Sequence, residues 1–303
     1  MEAETRKKKN AYLILHLCVF IWGFTAILGK LISLKAIVLV WYRMGITSLS
    51  LLVLPALYKG LKIIPKKEFL MICGIGCIVA AHWITFYDSI KKSNVSVALT
   101  SFATVSFFTA LVEPFILKRK HNSYEFLLSL LVIPAMFLIF RFTSGMQAGI
   151  ILGILSAFLA ALFSILNKIM VSKYDPISIT FIELCAGFLV IALLLPASLN
   201  IKNTVTFIPH GNDILYLFLL SVFCTSIPFI LSLKSLRYMS AFTSNLTINL
   251  EPIYGILLAS FIWQDYKELT FEFYCGAAII IFAVFLNPIL AKYLRPQSDS
   301  YKY

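Results

Sequence analysis

Charge is scarce in this 303-residue sequence: Asp, Glu, Lys and Arg together make up 13% of it, against about a quarter in an ordinary soluble domain. With 60% hydrophobic residues and a mean hydropathy of +0.90, that scarcity excludes a water-soluble fold. Familiar catalytic signatures are missing too. There is no G-x-x-x-x-G-K-[ST] phosphate loop, no H-E-x-x-H and no G-x-S-x-G, so neither ATP-driven pumping nor a cofactor is expected. Cys73 and Cys77 stand one helical turn apart with no His or carboxylate beside them. No metal site and no structural disulfide follow from the six cysteines.

What the sequence has is apolar runs of membrane-spanning length. Ten are read as helices: Ala11 to Gly29, Ala36 to Tyr58, Phe69 to Ile90, Val95 to Leu117 and Tyr124 to Phe142, then Ala148 to Met170, Ile177 to Ala197, Ile214 to Leu233, Met239 to Trp263 and Phe273 to Leu294. Residues 1–10 form a basic N-terminus, 11–142 and 148–294 two five-helix halves, and 295–303 a tail. The first run is too long for a signal-peptide core and ends in no small-x-small cleavage site, so it is expected to remain as a span.

The net charge of +12 sits in short clusters between these runs, which is a topology signal and not a nucleic-acid patch. Counted on alternate sides, 18 Lys and Arg fall on one side and 7 on the other, with Arg43 inside the second span. The positive-inside rule then puts both termini in the cytoplasm, in a multi-pass protein of the inner or plasma membrane.

The stretch from Arg237 to Gln264 organises the rest. Read as one helix, it sets Ser240, Thr243, Ser244, Thr247, Glu251 and Tyr254 within one arc. Glu251 lies halfway along, followed by Pro252. A carboxylate at that depth faces a protein interior or a watery cavity and is a functional-site candidate; the alternative is an interhelical hydrogen bond. Polar stripes recur in span three (His82, Thr85, Ser89), span four (Thr100, Ser101, Thr104) and span eight (Ser221, Thr225, Pro228, Ser232). Such stripes serve packing as readily as binding, but their convergence suggests a shared cavity. Arg43 needs a partner, either an anionic substrate group or a carboxylate such as Asp88. Trp22 and Trp83 are interface anchors or cavity walls. The small-residue seam Gly149, Gly153, Ala157, Ala160, Ala161 and Ser164 in span six reads as helix packing.

A weak repeat joins the halves. At an offset of 138, Ile27, Leu28 and Lys30 match Ile165, Leu166 and Lys168; for spans four and nine an offset of 147 fits better, pairing Val105 with Pro252. Five spans per half would insert the second copy upside down, as in secondary transporters. Glu113 shares a Glu-Pro pair with Glu251 but lies near the cytoplasmic interface and reads as an ion-pair residue.

Ile21-Trp22-Gly23 with Lys30, Arg43, Leu250-Glu251-Pro252, and the stretch from Asp265 through Leu269 to Gly276 resemble the EamA family of the drug/metabolite transporter superfamily. Phe24-Thr25 stand where that family often has Asn, and Leu117-Lys118 and Gln264-Asp265 replace its usual Gly-Glu. The resemblance implies an all-α membrane protein of ten transmembrane helices in two inverted five-helix repeats. It also implies a central cavity, alternating access, and small metabolites or amino acids as substrates.

The expectation is therefore a secondary transporter, an exporter rather than an enzyme, acting as a monomer or dimer with no nucleic-acid partner. Its substrate site is expected at Glu251, Thr247, Asn249, Tyr254, Thr225, His82, Thr104, Arg43 and Trp22, with Glu251 open to accepting a proton, binding a substrate amine or both, which leaves proton coupling as one option. Two rivals are an intramembrane lipid-modifying enzyme, with His82 and Glu251 as its thin candidate pair, and a noncatalytic membrane subunit.

Overall fold

The computed structural model describes residues 2–119, 123–131, 134–135, 137–138, 145–198, 207–264 and 270–294. Every regular element among them is helical. α1 is Glu2–Leu31, α2 Ala36–Leu51, α3 Pro55–Leu61, α4 Lys66–Lys92, α5 Val95–Phe102, α6 Val105–Ile116 and α7 Ser123–Leu130. Then come α8 (Gln147–Val171), α9 (Pro176–Ser198), α10 (Asp213–Leu236), α11 (Ala241–Ile248), α12 (Glu251–Trp263) and α13 (Phe271–Leu294). Among the described residues seven helices are long and apolar enough to cross a membrane, counting α5–α6 and α11–α12 as one each; the bent pair α2–α3 makes an eighth. The expected fifth span, Tyr124 to Phe142, lies partly outside the described residues, as do the stretch from Asp265 to Leu269 and the tail 295–303.

The second span corrects the sequence reading. Ala36 to Tyr58 is not one helix: α2 stops at Leu51 and the chain turns by 96° into α3. Pro55 is the cause. Leu54 is held extended (φ −89°, ψ 113°) as residues before proline are, and Pro55 opens α3 where no N–H is needed.

Two further spans are broken in the middle, and in the same way. Asn94 caps α5 by accepting from the Val97 N–H, and Ser240 caps α11 by accepting from the Thr243 N–H. Each half-helix runs eight residues and stops, at Ala103-Thr104 and at Asn249-Leu250, before α6 and α12 resume. Past the far ends Lys118 (φ 50°) and Gln264 (φ 58°) take the left-handed conformation that helix ends favour. Caps, breaks and left-handed residues all match at an offset of 146, not the 147 read from the sequence, so Val105 answers to Glu251. Pro252 sits in the first turn of α12; its missing N–H is the reason the break costs little there.

The two broken spans cross antiparallel. Asn249 Nδ2 donates to Ser106 Oγ and Asn245 Nδ2 to Thr109 Oγ1, both at 2.8 Å. Further along, Glu113 accepts from the Phe242 N–H at 2.9 Å and the Ala241 N–H at 3.3 Å. A carboxylate at a helix N-terminus satisfies donors the helix cannot. Glu113 is also paired with Arg119 at 3.0 Å.

Around this crossing α8 lies along α4, with its small seam inward: Gly149 and Gly153 come so close to Ser89, Ser93 and Ser101 that a methyl group would collide. Large apolar side chains such as Phe261 (91% exposed) and Leu193 (81%) project from the outside. That arrangement suits lipid and would be ruinous in water.

Candidate functional site

One cavity of about 800 Å³, its mouth included, opens between α1, α2, α4, α5, α8, α10, α11 and α12. Its wall is largely aromatic, with Trp22, Trp83, Phe86, Phe102, Phe163 and Phe229. Two opposite charges face it: Arg43 from α2 and Glu251 from the start of α12. Both are buried, at 4% and 5% exposure. Each lies in the other's electrostatic field, yet no hydrogen bond or ion pair joins them.

Arg43 is held from three sides. Nε donates to Thr225 Oγ1 at 2.8 Å and Nη1 to Tyr87 Oη at 2.7 Å, while the guanidinium stacks on Trp83, 3.8 Å from the ring centroid. Of the partners considered for Arg43, Asp88 makes no bond to it; the neighbouring Tyr87 does. Thr225 reaches Arg43 because Leu219–Ser226 is wound as a π-helix; the Thr225 and Ser226 hydroxyls donate five residues back, to Leu220 and Ser221 carbonyls. Pro228, with no N–H to give, loosens the ladder just beyond, and such π-turns recur at functional sites.

His82 is fixed by α8. Its Nδ1 lies 2.8 Å from Ser156 Oγ, and Ser156 Oγ also donates to the His82 carbonyl at 3.1 Å. The ring sits among Phe102 and Phe163. Thr25 lines the cavity next to Glu251.

Of the nine expected site residues the cavity gathers four: Trp22, Arg43, His82 and Glu251. Thr225 stands behind Arg43. Asn249 is turned to Ser106 and belongs to the crossing of the broken spans. Thr247 donates to the Thr243 carbonyl and Thr104 to the Ser101 carbonyl, and neither lines the cavity. Tyr254 packs edge-on against Phe20, ring centroids 5.4 Å apart. The reason is geometric: the face that lines the cavity runs through Ser244, Asn245, Ile248 and Glu251, and Thr247 and Tyr254 lie to one side of it. The sequence reading missed Thr25, Asn167 and Asn245 from the lining. Asn167 was visible as an amide inside an apolar run.

The cavity reaches from Arg43 towards one end of the bundle, as far as Asn167, Leu236 and Ser244. These lie within about a turn of helix ends on the same side, where Lys168 Nζ donates to the Leu236 carbonyl at 2.8 Å. The opposite end is tied shut. Ser33 donates through N and Oγ to the Asp213 carboxylate at 2.9 and 2.5 Å, Lys91 Nζ to the Ile32 carbonyl at 3.0 Å, and Lys30 Nζ lies 4.4 Å from the centre of the Trp263 ring.

The model of the EamA-like transporter family matches twice, over residues 9–141 and 147–288. The chain belongs to the EamA-like transporter family. It is 22% identical over 297 residues to an uncharacterized transporter of Clostridium kluyveri, across 92% of this chain and 93% of that protein. A solved crystal structure shares the fold with a TM-score of 0.69 at 14% identity, over 95% of this chain and 99% of the other. This EamA protein is thus a multi-pass membrane transporter of the drug/metabolite type, and the two family matches make its halves a tandem repeat.

Proposed function

We propose that this EamA protein is a secondary exporter of small zwitterionic or polar metabolites, amino acids among them, working by alternating access. The observation that carries the reading is the pair of unjoined opposite charges, Arg43 and Glu251, facing one aromatic-walled cavity. A zwitterion bridges them, its carboxylate on the planar guanidinium and its amine on Glu251, while the rings cover its apolar part. Burying both charges without such a guest is costly.

The proposed architecture is ten spans in two inverted five-helix halves. It is supported by the tandem family matches and by two spans broken at the same places that cross antiparallel. Export is supported by the direction of the cavity. It reaches towards the end carrying Lys168, Lys173, Lys234 and Arg237, the side the charge count assigns to the cytoplasm and the one from which an exporter loads its substrate. Both termini lie there too, in the inner or plasma membrane. Glu251 exchanges a proton for the substrate amine, which would couple export to the proton gradient, and the unit is a monomer or dimer.

Uptake of a labelled pool of amino acids and small metabolites into inverted vesicles tests this. Saturable uptake that rises with an imposed pH gradient is expected. Uptake only in right-side-out vesicles would overturn the direction, and saturable uptake of neutral solutes alone would overturn the zwitterion.

A further inference from the structure

Behind the cavity wall lies a second polar cluster that the site does not use. α9 carries Glu183 about two turns in from Pro176, with no exposed surface, and neither of its carboxyl oxygens has a hydrogen-bond partner among the described residues. Thr180, one turn earlier on the same helical face, is equally buried and its hydroxyl is also unpartnered. Asn167 of α8, fully buried, turns its amide to the Glu183 carboxyl as a long hydrogen-bond contact, but neither end of that amide reaches the geometry of a formed hydrogen bond. Buried polar groups in native proteins are nearly always paired. Among the described residues 13 buried side-chain atoms are not, and five of them belong to these three residues. That concentration marks a place, not scatter.

Although Asn167 reaches the cavity wall, the cluster is not loose at Glu183. α4 passes so close that a methyl group on Gly76 would collide with the Glu183 backbone carbonyl, so α9 is pinned at this residue. Nor does a neighbouring charge serve it. Arg43 of α2 is taken by Thr225 and Tyr87, and Lys168 of α8 by the Leu236 and Arg237 carbonyls. Lys59 of α3 and Lys234 of α10 are exposed. The remaining titratable groups nearby on α4 and α9 are His82, bound to Ser156, and the thiols Cys73, Cys77 and Cys185.

Four of the five unpartnered atoms are oxygens: both of Glu183, Oδ1 of Asn167 and Oγ1 of Thr180. Such a set lacks a positive charge, and its chemistry suits a hard cation. We propose that Glu183, Asn167 and Thr180 form a site for a monovalent cation, H⁺ or Na⁺, distinct from Glu251. Asn167 has a second role, because it also lines the cavity. An ion that draws the amide towards Glu183 changes the cavity wall, so ion and substrate affect each other's binding. The existence of the site does not depend on the transport reading; its use as a coupling site does.

The test is the unfolding temperature of the purified full-length chain in detergent, scanned against Na⁺ at fixed pH and ionic strength with choline as substitute, and against pH without Na⁺. The wild type is expected to respond to one of the two ions, which identifies it. Glu183→Gln should lose that response; Glu251→Gln should keep a Na⁺ response in full and should keep the part of a pH response that Glu183→Gln removes. Asn167→Ala, should Glu183→Gln fail to fold, is expected to raise the half-maximal ion concentration by about tenfold, a typical coupling between neighbouring groups. A flat wild-type response to both ions, or the same response in wild type and all variants, would overturn the proposal. Absence of substrate flux alongside an intact ion response would instead fail the transport reading and leave the site standing.

Discussion

Arg43 Nε donates to Thr225 Oγ1 at 2.8 Å, and that bond exists only because the π-turn carries Thr225 to it. A hydrogen bond to a charged group contributes about 1.5–3 kcal/mol, and leaving the charge unpaired in a buried site costs at least that. Thr225→Val is therefore expected to weaken substrate binding by about tenfold or more, with Thr225→Ser close to wild type. Radiolabelled binding to the purified protein measures both. Equal behaviour of the two variants would count against the hydroxyl as the holder of Arg43.

Arg43→Lys should fail where charge alone would suffice. An ammonium cannot stack flat on Trp83 and reach Tyr87 Oη and a substrate carboxylate together. We expect transport to drop by about tenfold or more, by the same hydrogen-bond arithmetic. Retained activity in Arg43→Lys would reduce the site's requirement to a point charge.

The crossing of the broken spans is a stability element. Asn245→Ala removes the 2.8 Å bond to Thr109 and leaves a buried hydroxyl with one partner fewer, at about 1–3 kcal/mol. Asn249→Ala does the same at Ser106. A lower unfolding temperature is expected in each, with substrate affinity per folded molecule unchanged for Asn249→Ala. Affinity lost without any loss of stability would return Asn249 to the substrate site.

Glycine packing makes a sharper stability prediction. At Gly23 an added methyl group would come within 2.8 Å of the Tyr254 Cβ, so α1 and α12 must separate to admit it. Gly23→Ala is expected to cost about 1–3 kcal/mol, the usual penalty of overpacking, read as a fall in unfolding temperature. A neutral result would mean the α1–α12 contact is looser than the structure has it.

Much of this was legible in the sequence. Hydropathy alone supplied the helical class, and the cost of burying ionisable groups singled out Arg43, His82 and Glu251 before any fold was known. What stayed hidden was local. In the apolar run from Met239 to Trp263 only Pro252 points to the break at Asn249-Leu250, and a proline there is also compatible with a continuous, kinked helix. Thr247 and Tyr254 lie beside the face that lines the cavity, which runs through Ser244, Asn245, Ile248 and Glu251, so the polar arc read from the sequence was centred to one side of it. Thr225 was read as a ligand, whereas the structure places it behind Arg43 and outside the cavity lining, a placement that depends on one extra residue in a π-turn. The repeat was legible only faintly, since caps and breaks recur in the second half while their residues do not.

The most direct measurement of the central claim is analogue discrimination. Uptake of a labelled amino acid into inverted vesicles would be competed by the parent compound, by its amide or ester lacking the carboxylate, and by its deaminated acid lacking the amine. In the wild type both analogues should compete poorly. In Arg43→Gln the handicap of the carboxylate-free analogue should vanish, and in Glu251→Gln that of the amine-free one. Variants that lower flux while preserving the wild-type ranking of analogues would contradict the assignment of Arg43 and Glu251 to the two ends of the substrate.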